Sequence, residues 1–257
     1  MKNFNIKRFG HVLRWTYEHD RHEFVRSTLM GIQGLTVCMV FIQIGQIHSA
    51  RTNMVGALAL MIGFFATIIC TGSNMHYSMK TRDDWRTLSV LPASNMEKFL
   101  ARYASSLLMM LGGFAALVVA DVAQYLLMLI MNSKMTTLLG SYILQSNTFR
   151  MIAEDSIVDH LQFCCFVLML HSCYLVGCNF FRNTKYGWVF TTLALIVLGI
   201  VVVTLIVKLM PEAPTSVTVG SGDWLITVLC LLFTAFNYWL AFRLFCRRQL
   251  IGKFINL

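Results

Sequence analysis

Apolar residues are not scattered along this chain; they run in six long blocks separated by short polar breaks. The blocks cover residues 28–47, 54–73, 105–131, 161–181, 188–210 and 224–245. A bilayer's hydrocarbon core of about 30 Å needs roughly 20 residues of helix at 1.5 Å rise each, and every block reaches that length. None alternates apolar and polar positions over about ten residues, as the strands of a membrane barrel do. The first block sits behind a charged leader, too far into the chain for a cleavable signal peptide. The pattern predicts an all-α integral membrane protein with six transmembrane helices, forming one domain over residues 1–257.

Two stretches outside these blocks carry their own periodicity. In residues 4–26, Phe9, Val12, Leu13 and Thr16 recur at helical spacing, and Trp15, Tyr17 and the basic residues suit a headgroup boundary. This predicts an interfacial amphipathic elbow helix ahead of the first span. Residues 75–103 read MHYSMKTRDDWRTLSVLPASNMEKFLARY. Thr81 and Asp84 have the spacing of a capping box, and Trp85 and Leu88 then share one face of a short helix over 82–90. Pro92 ends it, because proline has no N–H to donate and disfavours helix in the residue before it. Ser94 and Glu97 form a second capping box, opening a helix that runs through Lys98 and Arg102 into the third span.

Charge then fixes an orientation. Lys2, Lys7, Arg8, Arg14, Arg21, Arg26, Lys80, Arg82, Arg86, Lys98, Arg102, Arg182, Lys185, Arg243, Arg247, Arg248 and Lys253 fall on one side, 17 in all. Only 4, Arg51, Lys134, Arg150 and Lys208, fall on the other. The positive-inside rule places the 17-residue side, with both termini, in the cytoplasm, and the expected location is the cell's inner membrane. The same bias accounts for the net charge of +9 without nucleic acid as a partner; the partner it implies is membrane lipid. Composition agrees: 57% of residues are hydrophobic and 13% charged, against about a quarter charged in soluble domains. The eight cysteines fall in the spans or at a span's cytoplasmic end, so no extracellular disulfide framework is expected.

Catalytic motifs are not found. The chain has no Gly-x-x-x-x-Gly-Lys-Ser/Thr loop to cradle ATP phosphates and no His-Glu-x-x-His zinc motif. His171 and Ser172 are adjacent, hence about 100° apart on a helix, which is no nucleophile–base geometry. No catalytic residue, metal ligand or cofactor is assigned to this chain. Polar residues within spans are costly and invite a functional reading. Asp121 and Gln124 lie one turn apart on the third span, and Gln33 and Gln43 lie on the first; these four are the candidate translocation pathway. Small residues recur at Gly112, Ala116 and Ala120, and at Gly56, Ala59, Gly63 and Ala66, suiting close helix packing within the chain or between two copies.

The elbow helix, the six spans and the Leu91-Pro92-Ala93-Ser94 turn with Glu97-Lys98 entering the third span together resemble the permease subunits of type 2 ABC exporters. The resemblance covers nearly the whole chain by architecture and is concentrated in about 15 positions around Leu91 by residue. It implies that the helix over 82–90 is a coupling helix whose Asp83, Asp84, Trp85, Arg86 and Leu88 dock on a separate ABC ATPase subunit. It implies that ATP and magnesium are bound by that subunit, that a second copy of this chain completes the permease, and that a substrate of unspecified identity is exported. One difference stands out: the longest outer segment here is 132–159, not the connection between the last two spans. The alternative is a membrane-embedded binding or scaffold subunit with no transport activity of its own.

Overall fold

The computed structural model describes residues 4–45, 52–79, 81–131, 138–140, 157–181, 186–209 and 223–247. Within them the chain is helical throughout and holds no strand. Seven helices follow one another: α1 (Ile6–Ile44), α2 (Thr52–Ser73), α3 (Arg82–Val90), α4 (Asn95–Ile130), α5 (Ile157–Phe180), α6 (Gly187–Leu209) and α7 (Asp223–Arg247). Five of them, α1, α2, α4, α5 and α7, are long and apolar enough to cross a membrane, consistent with a multi-pass membrane protein. In α6 the apolar stretch among the described residues is Gly187–Val202, shorter than a span. The outer segment 132–159 lies outside the described residues except at 138–140 and 157–159.

The expected elbow helix is not a separate element. α1 is one unbroken helix of 39 residues that passes through Arg26 and Thr28 without interruption. Its partner is α4, 36 residues long, and the two run parallel. Asn5 meets Glu97, Asp20 meets Arg102 and Ser105, Gly112 faces Thr28, and Gly31 faces Ala116, so the contacts advance in the same direction along both helices. At 1.5 Å per residue these helices are about 58 and 54 Å long, nearly twice a hydrocarbon core, so in a bilayer the polar N-terminal end of each would project by some 25 Å. Polar bonds between the projecting halves hold α1 against α4, and this is why the elbow is absorbed into a single rod.

That projecting end carries the N-termini of α1 and α4, the C-terminal ends of α2, α5 and α7, and all of α3. It is the basic end of the molecule. Its core comprises Met75, Met79, Leu88, Phe99, Leu175, Cys178, Ala241 and Phe245, with Trp15, Trp85, Leu91 and Tyr103 packed around it. A second core lies toward the other end, built from Met39, Leu60, Leu117, Ala120 and Leu139.

Small residues set the helix spacing. The Gly112–Ala116–Ala120 row of α4 packs on α1, and Gly56 and Gly63 of α2 receive Leu139 and Leu117. Both rows suggested by sequence are therefore used in part inside the chain, Ala66 of the second remaining exposed. α5 and α6 meet at Gly177, where any Cβ would overlap the Thr191 hydroxyl. α2 and α5 meet at Gly72, where a Cβ would lie 2.9 Å from the His171 carbonyl oxygen.

Candidate functional site

The basic end is built from bonds that tie four elements together. The α4 N-cap, Ser94, accepts the Glu97 N–H on its hydroxyl, and the Glu97 carboxylate accepts the Ser94 N–H at 2.8 Å. The other carboxylate oxygen reaches across to α1, accepting the Asn5 N–H at 2.7 Å and the Arg8 guanidinium at 3.0 Å. Burial alone would raise the Glu97 carboxyl. The Ser94 and Asn5 N–H groups and the Arg8 charge outweigh it and hold the group at about 2, so it is ionised throughout the physiological range.

One turn further on, Arg102 is the central knot. One guanidinium nitrogen donates to both Asp20 oxygens at 2.8 Å. The other donates to the Met75 carbonyl at 2.6 Å and the Ser78 hydroxyl at 3.0 Å. Ser105 also donates to Asp20. The Arg102 and Asp20 side chains are only 2% and 4% exposed, so the pair is buried. α1, α4 and the turn that follows α2 are thereby fastened at one point.

α3 hangs from this base. Thr81 and Asp84 form its capping box, with N–H to oxygen distances of 2.8 and 3.2 Å. Leu91 closes its last turn onto the Thr87 carbonyl, and the Ala93 N–H bonds the Leu91 carbonyl across Pro92, a three-residue turn that leads directly into the Ser94 cap. Lys98 reaches back from α4 and donates to the Ser89 carbonyl at 2.9 Å, placing a cation at the negative end of α3. Burial lowers the pKa of that ammonium.

The coupling-helix residues divide between two faces. Leu88 is 3% exposed and belongs to the basic-end core. Trp85 is half-buried and stands edge-on to His76, ring centroids 4.9 Å apart; His76 in turn bonds Asn179 of α5 at 3.0 Å and stacks near Phe245 of α7. These two residues therefore anchor α3 to its own protein and do not present an apolar plug outward. Asp83 and Arg86, paired at 2.9 Å, are exposed, as is Val90. Asp84 is committed to the cap.

The four pathway candidates do not come together. Gln33 points outward from α1 and Gln43 is buried. Asp121 and Gln124 do meet, at 3.0 Å, and both are buried. The Asp121 carboxylate accepts the backbone N–H groups of Leu139 and Gly140, each at 2.9 Å. It thus holds the start of a helical turn whose Leu139 side chain fills the second core beside Gly56, where Gln43 also arrives. A separate cavity of about 300 Å³ lies between α1, α2 and α4, walled by Gly31, Gly63, Gly113 and Ala116 with the hydroxyls of Ser27, Thr67 and Thr71 toward the basic end. Thr67 and Thr71 donate to carbonyls of their own helix, leaving the wall itself apolar.

No protein-family model, no curated protein and no solved structure matches this chain. Its reading therefore rests on geometry. Of the residues that organise the basic end, Asn5, Asp20 and His76 went unmarked in the sequence, and Arg8 and Arg102 entered only through the basic bias and the helix that carries them. None belongs to a motif with fixed spacing, and each acquires its role only when helices distant in sequence meet.

Proposed function

We propose that this protein is the permease subunit of an ATP-driven ABC-type exporter, with ATP hydrolysed by a separate subunit and two copies of this chain forming the permease. In this reading α6 is the sixth span, and the basic end faces the cytoplasm of a cell with this protein in its inner membrane. The 17-to-4 distribution of lysine and arginine supports that orientation.

The observation that carries the reading is the mounting of α3. A short helix is capped at its N-terminus, closed by a turn at its C-terminus, gripped by Lys98 and seated through Leu88 and Trp85 on a core that joins the turn after α2 with α4, α5 and α7. Force applied to its outer face would pass into that turn and three helices, which is what a transmission element requires. Asp83, Arg86 and Val90 form the face on which the ATPase would press. Exposed charges of this kind set partner choice and association rate more than affinity. The cavity between α1, α2 and α4 is the substrate-facing surface in this reading, and its small apolar walls suit a hydrophobic substrate.

Paired variants test it. The double charge reversal Asp83→Arg/Arg86→Glu should slow capture of the co-expressed ATPase by tenfold or more and leave the melting temperature in detergent unchanged. Trp85→Ala should do the opposite, lowering the melting temperature while the remaining folded protein still binds. An outer-face variant that captures the ATPase at the wild-type rate sinks the assignment.

A further inference from the structure

Most side-chain amides within the apolar stretches of the described helices are turned inward. Gln43, Gln124, Asn179 and Asn237 are all buried. Gln124 donates to Asp121, Asn179 faces His76 and donates to the Leu175 carbonyl, and Asn237 donates to Ser172. Such inward placement is what a hydrocarbon solvent demands, because lipid tails can neither donate nor accept. Gln33 is exposed, and no donor or acceptor among the described residues meets its amide. Hydroxyls can be outward at no such cost: Thr204 bonds the Ile200 carbonyl of its own helix. A glutamine amide at the end of a long side chain has no such local bond here.

Gln33 does not stand alone on a random face. Met30, Gln33, Val37, Val40 and Ile44 recur at spacings of three and four, which is the seam of a helix that pairs with another helix. Met30, Val37 and Ile44 are each about half exposed, and α1 has the least covered apolar window of the five long helices.

We infer that this seam of α1 is the surface through which two copies of the chain pair, the two Gln33 amides hydrogen-bonding each other beside the two-fold axis. Three features select a second copy as the occupant. An amide both donates and accepts, so it is complementary to itself. Two copies share one orientation, since both obey the same basic bias, so α1 meets α1 in parallel and like residues of the seam come face to face. Part of the small-residue rows that could have served another dimer is already taken up within the chain, Gly112 by Thr28 and Phe24, Gly56 by Leu139 and Gly63 by Leu117. The inference takes from the proposed function only the presence of a second copy.

The experiment uses the full chain in native membranes, with the four exposed cysteines replaced (Cys38→Ser, Cys70→Ser, Cys164→Ser, Cys246→Ser). In that background, Val37→Cys, one turn beyond Gln33 on the seam, should form a disulfide-linked dimer on mild oxidation. Val197→Cys on α6 and Leu232→Cys on α7, both well exposed, should not. Adding Gln33→Leu should cut the Val37→Cys dimer at least threefold, since an interhelical hydrogen bond is worth about 0.6 to 1.7 kcal/mol, and Gln33→Asn should restore part of it. Because Gln33 is exposed and its amide meets no donor or acceptor among the described residues, neither change should move the monomer's melting temperature. Cross-linking through Val197 or Leu232 in place of Val37, a Gln33→Leu yield equal to the parent's, or a single copy by native mass measurement would each overturn the inference. Capture of the ATPase is read separately. A chain that binds the ATPase but gives no Val37 link loses this surface alone, whereas a Val37 link without ATPase capture sinks only the transport reading.

Discussion

Arg102 shows how much one side chain can be asked to do. Its guanidinium satisfies the Asp20 carboxylate, a backbone carbonyl and a hydroxyl, all out of water. A buried ion pair gains little over apolar residues of the same shape, because desolvating both charges is expensive. Removing one partner is different: it strands the other charge and typically costs about 3–5 kcal/mol. Arg102→Met should therefore strongly destabilise the protein in a detergent melt, and Asp20→Asn should do so less, because the amide can still accept from Arg102. The double variant Asp20→Asn/Arg102→Met should be more stable than Arg102→Met alone, since no unpaired charge remains. Additive losses in that cycle would mean the two residues act independently, against the observed geometry. The sequence placed Arg102 only among the charges of the basic side. Nothing local marks it otherwise, since its acid lies 82 residues away.

Elements differ in how visible they are from sequence, and the difference is one of range. The capping boxes at Thr81 and Ser94 are readable because donor and acceptor lie three residues apart, and the structure places those groups at bonding distance. The apolar helices are readable because lipid imposes a length. The break expected between residues 26 and 28 was a local inference that distant contacts override, since α4 supports α1 on both sides of that point. Likewise, a helical wheel places Gln33 and Gln43 on one broad arc, but only the neighbouring helices decide that Gln43 is covered and Gln33 is not. Asp121 is a case where residue type was informative and role was not. A carboxylate at that depth needs compensation, and it receives two N–H groups from the turn at Leu139 and Gly140 together with the Gln124 amide. Asp121→Leu should leave those N–H groups without acceptors at a cost of about 1–3 kcal/mol each, and Asp121→Asn should cost less. Melting curves of the two variants would check the order. Wild-type stability in Asp121→Leu would show that the carboxylate does not hold that turn.

At the scale of the whole molecule the organising fact is polarity between ends. One end gathers lysine and arginine, buried ion pairs and the mounted α3; toward the other, Asp121 holds Leu139, which lies with Gln43 beside Gly56. Orientation is the quantity on which every functional statement depends. In a chain freed of its exposed cysteines, single cysteines at Ser89 and Asn183 should react with a membrane-impermeant maleimide only after permeabilisation. Cysteines at Asn53, Ser141 and Ser221 should react in intact cells. External labelling at Ser89 would invert the molecule and remove the ATPase from α3.

The parallel pairing of α1 with α4 also dictates an order of events during synthesis. Chains are made from the N-terminus, so Asp20 exists for 82 residues' worth of elongation before Arg102 is available to meet it. Throughout that interval the lower half of α1 has an acid to keep hydrated and an apolar stripe, including Trp15, to keep sheltered. A polar–apolar boundary such as the bilayer surface satisfies both demands. On that account α1 would lie flat at the bilayer surface in the nascent chain and stand upright once α4 arrives, so the first helix to be made waits for α4 before it is secured.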